Sequence, residues 1–339
     1  MRFPLIRYLP ERTNFKFVSV AGIMGVISTL LIVLSLVSMV TGGLRANPID
    51  LYNEVDGSVG HKIGHVLSEG FNLGVDFKGG TLLELRSTEA IDLAQIRQII
   101  GGLDLGDVQV QAFGSETNAL VRFEITDAGA DADIARARAA LAAEAPNVQI
   151  DRTESVSAQV SEELFSGGLM ALGLAILLML AYIWFRFEWQ FGVGAILGLF
   201  HDVILTLGLF SVLRMEFTLT IIAALLTIIG YGINDTVVVF DRLRENLSKY
   251  KKMPLSEIVD LSINETLSRT IMTGVTALMA LTVLYYLGGE ALSGFAIAMI
   301  FGIVVGTYSS VYVAAPAILI WGVRRGGPAK GAEAPQPAA

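Results

Sequence analysis

Six stretches of this chain, near residues 17–40, 164–185, 191–213, 217–240, 270–289 and 292–322, are almost wholly apolar over lengths that no ordinary soluble helix needs. At about 1.5 Å per residue, about 20 such residues cross a hydrocarbon core about 30 Å thick. A backbone in that core must bond to itself, which predicts six membrane-spanning helices. Hydrophobic residues make up 53% of the chain, against roughly 45–50% in soluble proteins. The first stretch follows Arg2, Arg7, Arg12 and Lys16 in the manner of a secretion signal. It is longer than the roughly 7–15 residues of a signal's apolar region, and TGGLRANP lacks a small-x-small cleavage site, so it reads as an anchor.

Sidedness follows from cation placement, because loops rich in lysine and arginine stay in the cytoplasm. With the N-terminus inside, the inner segments hold the four cations of the leading tail, Arg186, Arg242, Arg244, Lys249, Lys251, Lys252, Arg324, Arg325 and Lys330, whereas the short outer loops hold only Arg214. Both ends are therefore expected in the cytoplasm, with one large outer domain at residues 44–163. That domain carries 9 lysines and arginines against 20 aspartates and glutamates, an acidity that reads as solvated surface.

Alternating and helical patterns within it predict one strand through NLGVDF and TLLELRS, bent at Lys78-Gly79-Gly80, further strands at VQVQAF, ALVRFEI and NVQIDRTESV, and helices at IDLAQIRQII and DADIARARAALAAEA. The order β-α-β-β-α-β suggests a ferredoxin-like α+β unit, with Gly101-Gly102 and Pro146-Asn147 as helix stops. PLSEIVDLSINETLSR is expected as an amphipathic cytoplasmic helix over 254–268 lying along the interface. The tail 323–339 reads as low-complexity and disordered.

Several polar residues sit where lipid should exclude them. A charged group at mid-bilayer costs about 2.5–3.5 kcal/mol on insertion scales, so each needs a partner or a wet cavity. Asp235 lies nearly two turns inside the fourth span. Arg269, Thr273 and Thr276, with Thr266 one turn earlier, share a face of the fifth span, and Arg269 and Asp235 are placed to pair. His201-Asp202 stands in the middle of the third span; since adjacent residues point about 100° apart, at most one faces a given neighbour squarely. His201, Asp202, Asn234 and Thr273 are candidates for a proton relay or for helix packing. Asp241, Arg242, Arg244 and Glu245 read as interface anchors. Gly194/Gly198 and Gly302/Gly306 are small-xxx-small spacings for close helix approach.

Enzymatic chemistry has little support. There are no cysteines, hence no thiolate ligand or nucleophile, and no phosphate-binding loop or zinc motif. His61 and His65 are spaced i,i+4 but flank Gly64, and read as surface rather than metal ligands. No cofactor, metal or nucleic-acid partner is expected.

Taken together, GVDFKGGTLLEL, HDV, YGINDTVVVFDRLREN, INETLSRT and GTYSSVYVAAP, in this order, resemble the SecF family. Its members are the smaller subunits of the bacterial SecD–SecF accessory complex of the Sec translocon. The likeness runs from about residue 10 to 322 and keeps a DFxGG motif with Lys78 at its variable place. It implies a six-span bundle of resistance-nodulation-division type in the cytoplasmic membrane, and use of the proton-motive force in late steps of protein export. The implied partners are SecD as a separate chain in pseudo-two-fold pairing, the SecYEG translocon, YajC, and the unfolded exported polypeptide at the outer domain. The family's proton-path acid falls on Asp235 and its functional arginine on Arg269. Two rival readings remain at this point: a static scaffold with Asp235 and Arg269 as glue, and half of a small-molecule exporter.

Overall fold

The computed structural model describes residues 13–44, 70–106 and 108–323. The leading tail to residue 12, His61, His65 and the tail from residue 324 lie outside the described residues. The chain divides into two compact units, one made of residues 72–171 with 216–222 and the other of the remainder.

Among the described residues six helices are long and apolar enough to cross a membrane. They are α1 (Phe17–Val40), α5 (Ala158–Arg186), α6 (Trp189–Leu213), α7 (Leu219–Lys249), α8 (Leu255–Leu287) and a last span built from α9 (Glu290–Ser309), a π-helical turn (Ser310–Ala314) and α10 (Ala315–Trp321). The π turn has a local cause. Pro316 lacks an N–H and its ring crowds the carbonyl one turn back, so the ladder widens just before it.

Burial on α1 is inverted relative to a helix of a soluble bundle. On α1 the buried residues are Ser28, Ser35, Ser38 and Met39, while Ile23, Leu30, Val33 and Leu34 are exposed. Lipid offers no hydrophobic penalty to leucine, so small and hydroxylated residues take the helix contacts. Ser38 shares a hydrogen bond with Ser211 at 2.8 Å, and a Cβ on Gly208 would strike Ser35. The two glycine pairs behave the same way. A Cβ on Gly194 would lie 2.6 Å from the Ala314 carbonyl, and one on Gly302 would lie 2.4 Å from Ile228. The apolar interior joins Phe187, Phe191, Phe240, Ile258, Val259 and Ile318.

One expectation is corrected here. Residues 254–268 form no separate interfacial helix: they open α8, which runs without a break to Leu287. No glycine or proline interrupts 255–273, and Ile258, Val259 and Ile263 are buried in the bundle interior rather than laid on an interface. The polar residues of this stretch bond to the start of α1 and the residues just before it: Val18 N donates to Asp260 at 2.8 Å, and Asn264 exchanges bonds with the Phe15 backbone at 2.8 and 2.9 Å.

The second unit holds β1 (Asn72–Leu73), α2 (Val75–Lys78), β2 (Gly80–Ser87), α3 (Leu93–Gly101), β3 (Gln109–Phe113), β4 (Ser115–Phe123), α4 (Ala130–Glu144), β5 (Val148–Val156) and β6 (Glu216–Phe217). Four long strands make an antiparallel sheet in the order β3-β4-β2-β5, with α3 and α4 between them in sequence. Leu83, Leu85, Val121 and Phe123 point from the sheet into a core completed by Ile96 and Ile100 of α3 and Ala137 and Leu141 of α4. Full burial of a leucine such as Leu83 contributes about 1.5–3 kcal/mol. Asp92 caps α3, accepting from Ala94 N at 2.8 Å. The expected NLGVDF strand shrinks to two residues. Gly74 turns the chain and 75–78 close a single helical turn that buries Val75, since one turn satisfies the same apolar alternation.

Candidate functional site

Asp235 of α7 is 8% exposed and, among the described residues, bonds only to hydroxyls. Its Oδ1 accepts from Thr270 Oγ1 of α8 at 2.6 Å, and its Oδ2 accepts from Ser310 Oγ at the head of the π turn at 3.1 Å. The expected ion pair with Arg269 is absent among the described residues. Arg269 is exposed, although its charge lies within electrostatic reach of the carboxylate. The difference comes from helix azimuth. The buried face of α8 runs through Ser262, Thr266, Thr270 and Gly274, while Arg269, Thr273 and Thr276 lie on the exposed side, about 100° of rotation away. Thr273 and Thr276 donate back to their own helix, to the Arg269 and Met272 carbonyls at 3.0 and 2.9 Å.

Asp202 of α6 makes a second buried carboxylate, 5% exposed. Its Oδ2 accepts from Ser309 Oγ at 2.9 Å, and its Oδ1 lies 3.0 Å from His201 Nδ1. Both neighbours are therefore engaged by the last span, contrary to the expectation that only one could face it squarely. His201 stacks on Tyr308 with centroids 5.8 Å apart, and the Tyr308 hydroxyl donates to the Met24 carbonyl of α1 at 2.9 Å. Tyr308 and Ser309 diverge by the same angle as His201 and Asp202, so two adjacent residues meet two adjacent residues. His201 Nε2 is buried without a partner among the described residues. Gly232 and Gly306 leave room for Asp202: a Cβ at those positions would stand 3.1 and 3.5 Å from its Oδ2.

Consecutive serines at the start of the π turn thus serve two different acids, Ser309 to Asp202 and Ser310 to Asp235. Neither serine nor Thr270 was singled out from sequence. The available signal was Pro316, whose disturbance of the helix one turn upstream marks the point where side chains can be re-aimed.

Asn234 points the other way. It is exposed and lines a groove of about 330 Å³ with Ala175, Leu178 and Tyr182 of α5 and Gly230 and Ile233 of α7. The anchors at the far end of α7 are paired: Arg186 reaches Asp241 at 2.8 Å, and Arg242 bridges Glu245 and Glu265 at 2.6 and 2.7 Å.

No group of three or more histidine, aspartate or glutamate side chains is arranged to hold a metal among the described residues. The site therefore offers two carboxylates, an imidazole and hydroxyls. Groups of these kinds can take up, orient and release protons.

Comparison with known proteins is consistent along the chain. Residues 136–324 match the family described as protein export membrane protein SecD/SecF, C-terminal, and residues 67–91 match the SecD/SecF GG motif. A protein translocase subunit SecF of Cereibacter sphaeroides is 42% identical over 338 residues, covering 97% of this chain and 96% of that protein. One from Rhodobacter capsulatus is 47% identical over 271 residues, 76% of this chain and 81% of that one. The crystal structure of SecDF, a translocon-associated membrane protein from a Thermus species, superposes with a TM-score of 0.75 at 33% identity; it covers 92% of this chain, which spans 39% of that one.

Proposed function

The chain belongs to the SecF family of protein translocase subunits, and from that premise we propose that it converts the proton-motive force into work on a polypeptide leaving the Sec translocon. The observation that carries this reading is Asp235, a carboxylate in an apolar helix that, among the described residues, is bonded only by hydroxyls and forms no ion pair. Hydroxyls can bond either form of the group, because each can donate or accept, although they bond the carboxylate more strongly. A fixed arginine would hold the group charged. With Arg269 near but unpaired, its approach or withdrawal selects the protonation state, and each proton crossing 100 mV supplies about 2.3 kcal/mol. That is enough to bias a rigid-body motion between states a few kcal/mol apart.

The relatives are named as subunits, and the superposed SecDF chain is much longer than this one, so the partner is read as SecD in a separate chain. The exposed Arg269, Asn234 and Thr273 are natural intramembrane contacts for it. The outer domain expected over 44–163 is read as ferredoxin-like and extracytoplasmic, with both chain ends in the cytoplasm. SecYEG, YajC and the emerging polypeptide complete the assembly.

The test is Asp235→Asn in the assembled complex. Proton-driven stimulation of export by inverted vesicles is expected to vanish while co-purification with the partner persists. Arg269→Lys, which keeps charge but loses the planar fork, is expected to lose activity measurably. Full export by Asp235→Asn would favour the static scaffold.

A further inference from the structure

The DFKGG segment does more than start a strand. Its aspartate, Asp76, accepts a hydrogen bond through Oδ2 from Leu219 N at 2.9 Å, across 143 residues of sequence. Leu219 is the first residue of α7, and the helix it opens is the one that carries Asp235. Helix starts leave backbone N–H groups without partners, normally met by a nearby side chain. Here the local candidate, Thr218, is bonded instead to Thr220 Oγ1 at 2.7 Å, and the cap comes from Asp76.

Further contacts converge on the same few residues. β1 pairs in parallel with β6, Asn72 opposite Glu216 and Leu73 opposite Phe217. Gly74 N donates to the Phe217 carbonyl at 2.9 Å. The Phe77 ring lies 5.6 Å from Phe165 and 5.9 Å from Phe217. From the sheet behind, Arg122 of β4 meets Glu216 at 2.8 Å, with only 9% and 18% of the two side chains exposed. The glycines make the approach possible. A Cβ on Gly74 would lie 2.9 Å from Thr218 and 3.2 Å from Glu216, and Gly79 and Gly80 hold φ of 72° and 102°.

A two-residue strand pair is too short to hold by itself, and a buried ion pair adds little net stability while specifying geometry well. Their concentration on the entry to one helix is what needs an explanation. We propose that the DFKGG segment is a tie that holds the first turn of α7 to the sheet, with Asp76, Arg122 and Glu216 as positioning residues through which a displacement of α7 reaches that sheet. This rests on the reading of Asp235 as the proton carrier.

The experiment uses the full chain with its partner in proteoliposomes, measuring proton-driven export and, separately, proton flux. Asp76→Ala removes the acceptor, whereas Asp76→Asn keeps an amide oxygen at the same place. Loss of a hydrogen bond to a charged group predicts about a tenfold fall in export for Asp76→Ala, with Asp76→Asn within about threefold of wild type. Proton flux is expected to persist in both, the mark of uncoupling.

A cysteine pair supplies an independent arm, since the chain has no native cysteine. Asn72→Cys with Glu216→Cys joins register partners about 4.8 Å apart, within disulfide range. Reduced, this variant lacks the Arg122 pair and export falls; oxidised, export recovers. Wild-type export by Asp76→Ala, or no difference between the reduced and oxidised pair, overturns the tie. If instead Asp235→Asn still supports proton-driven export, it is the reading of Asp235 that fails.

Discussion

Replacing Thr270 by valine removes a single hydroxyl from the candidate site and almost no volume, so it isolates one hydrogen bond. The bond is short, 2.6 Å from Oγ1 to Asp235 Oδ1, and Thr270 is 3% exposed, so no solvent molecule takes its place without a rearrangement. A hydroxyl bonded to an ionised carboxylate spans about 2.5–2.7 Å. If the contact is static helix glue, the loss is confined to stability, where interhelical hydrogen bonds in membranes average about 0.6 and reach about 1.7 kcal/mol. If Asp235 cycles between charged and neutral forms, the bond favours one form over the other by about 1.5–3 kcal/mol, a change of roughly 10- to 150-fold in their ratio. Proton-driven export by vesicles containing Thr270→Val is therefore expected to fall by at least about tenfold at fixed pH, with a loss of thermal stability under about 2 kcal/mol. Thr276→Val is the control, because among the described residues that hydroxyl donates only to carbonyls of its own helix. Thr270→Val with full proton-driven export and a lowered unfolding temperature would refute the reasoning.

Other expectations follow from the sheet-bearing unit. Gly80→Ala forces φ of 102° on a residue with a Cβ and sets that atom 2.6 Å from the Phe123 carbonyl. A cost of about 1–3 kcal/mol is expected, read as a lower unfolding temperature of the full chain in detergent, while Gly101→Ala, whose Cβ meets nothing within 4 Å, is expected to be harmless. Burial pushes the Glu216 carboxyl above its ordinary range, and Arg122 opposes this only in part. The folded state thus favours the neutral form. Glu216's contribution is complete below its unfolded pKa and is lost as pH rises through the folded value. The stability of wild type relative to Glu216→Gln is expected to fall as pH rises above the usual glutamate range. A relative stability that rises instead would mean that the Arg122 pair outweighs burial.

Hydropathy is a local property, which is why six spans, the intrusion of Asp235, Asp202 and His201 into them, and the resemblance to SecF were all legible before any fold was known. The strand and helix order of the sheet-bearing unit was legible for the same reason, since residues 80–156 carry clear alternation and helix stops. Choice of partner is not local. Whether Asp235 meets Arg269 or Thr270 turns on one residue's rotation of α8, and that rotation is set by Ile258, Val259 and Gly274 packing into the bundle. The serines of the π turn became visible only once Pro316 had displaced the ladder and glycines at 194, 232, 302 and 306 had brought the helices close enough for short side chains to reach across. Likewise Asp76 and Leu219 are separated by 143 residues, and no periodicity along a chain reports a bond of that range. Composition decides which segments enter lipid because transfer energy sums over neighbours in sequence; the contacts that give those segments a proton site depend on neighbours in space.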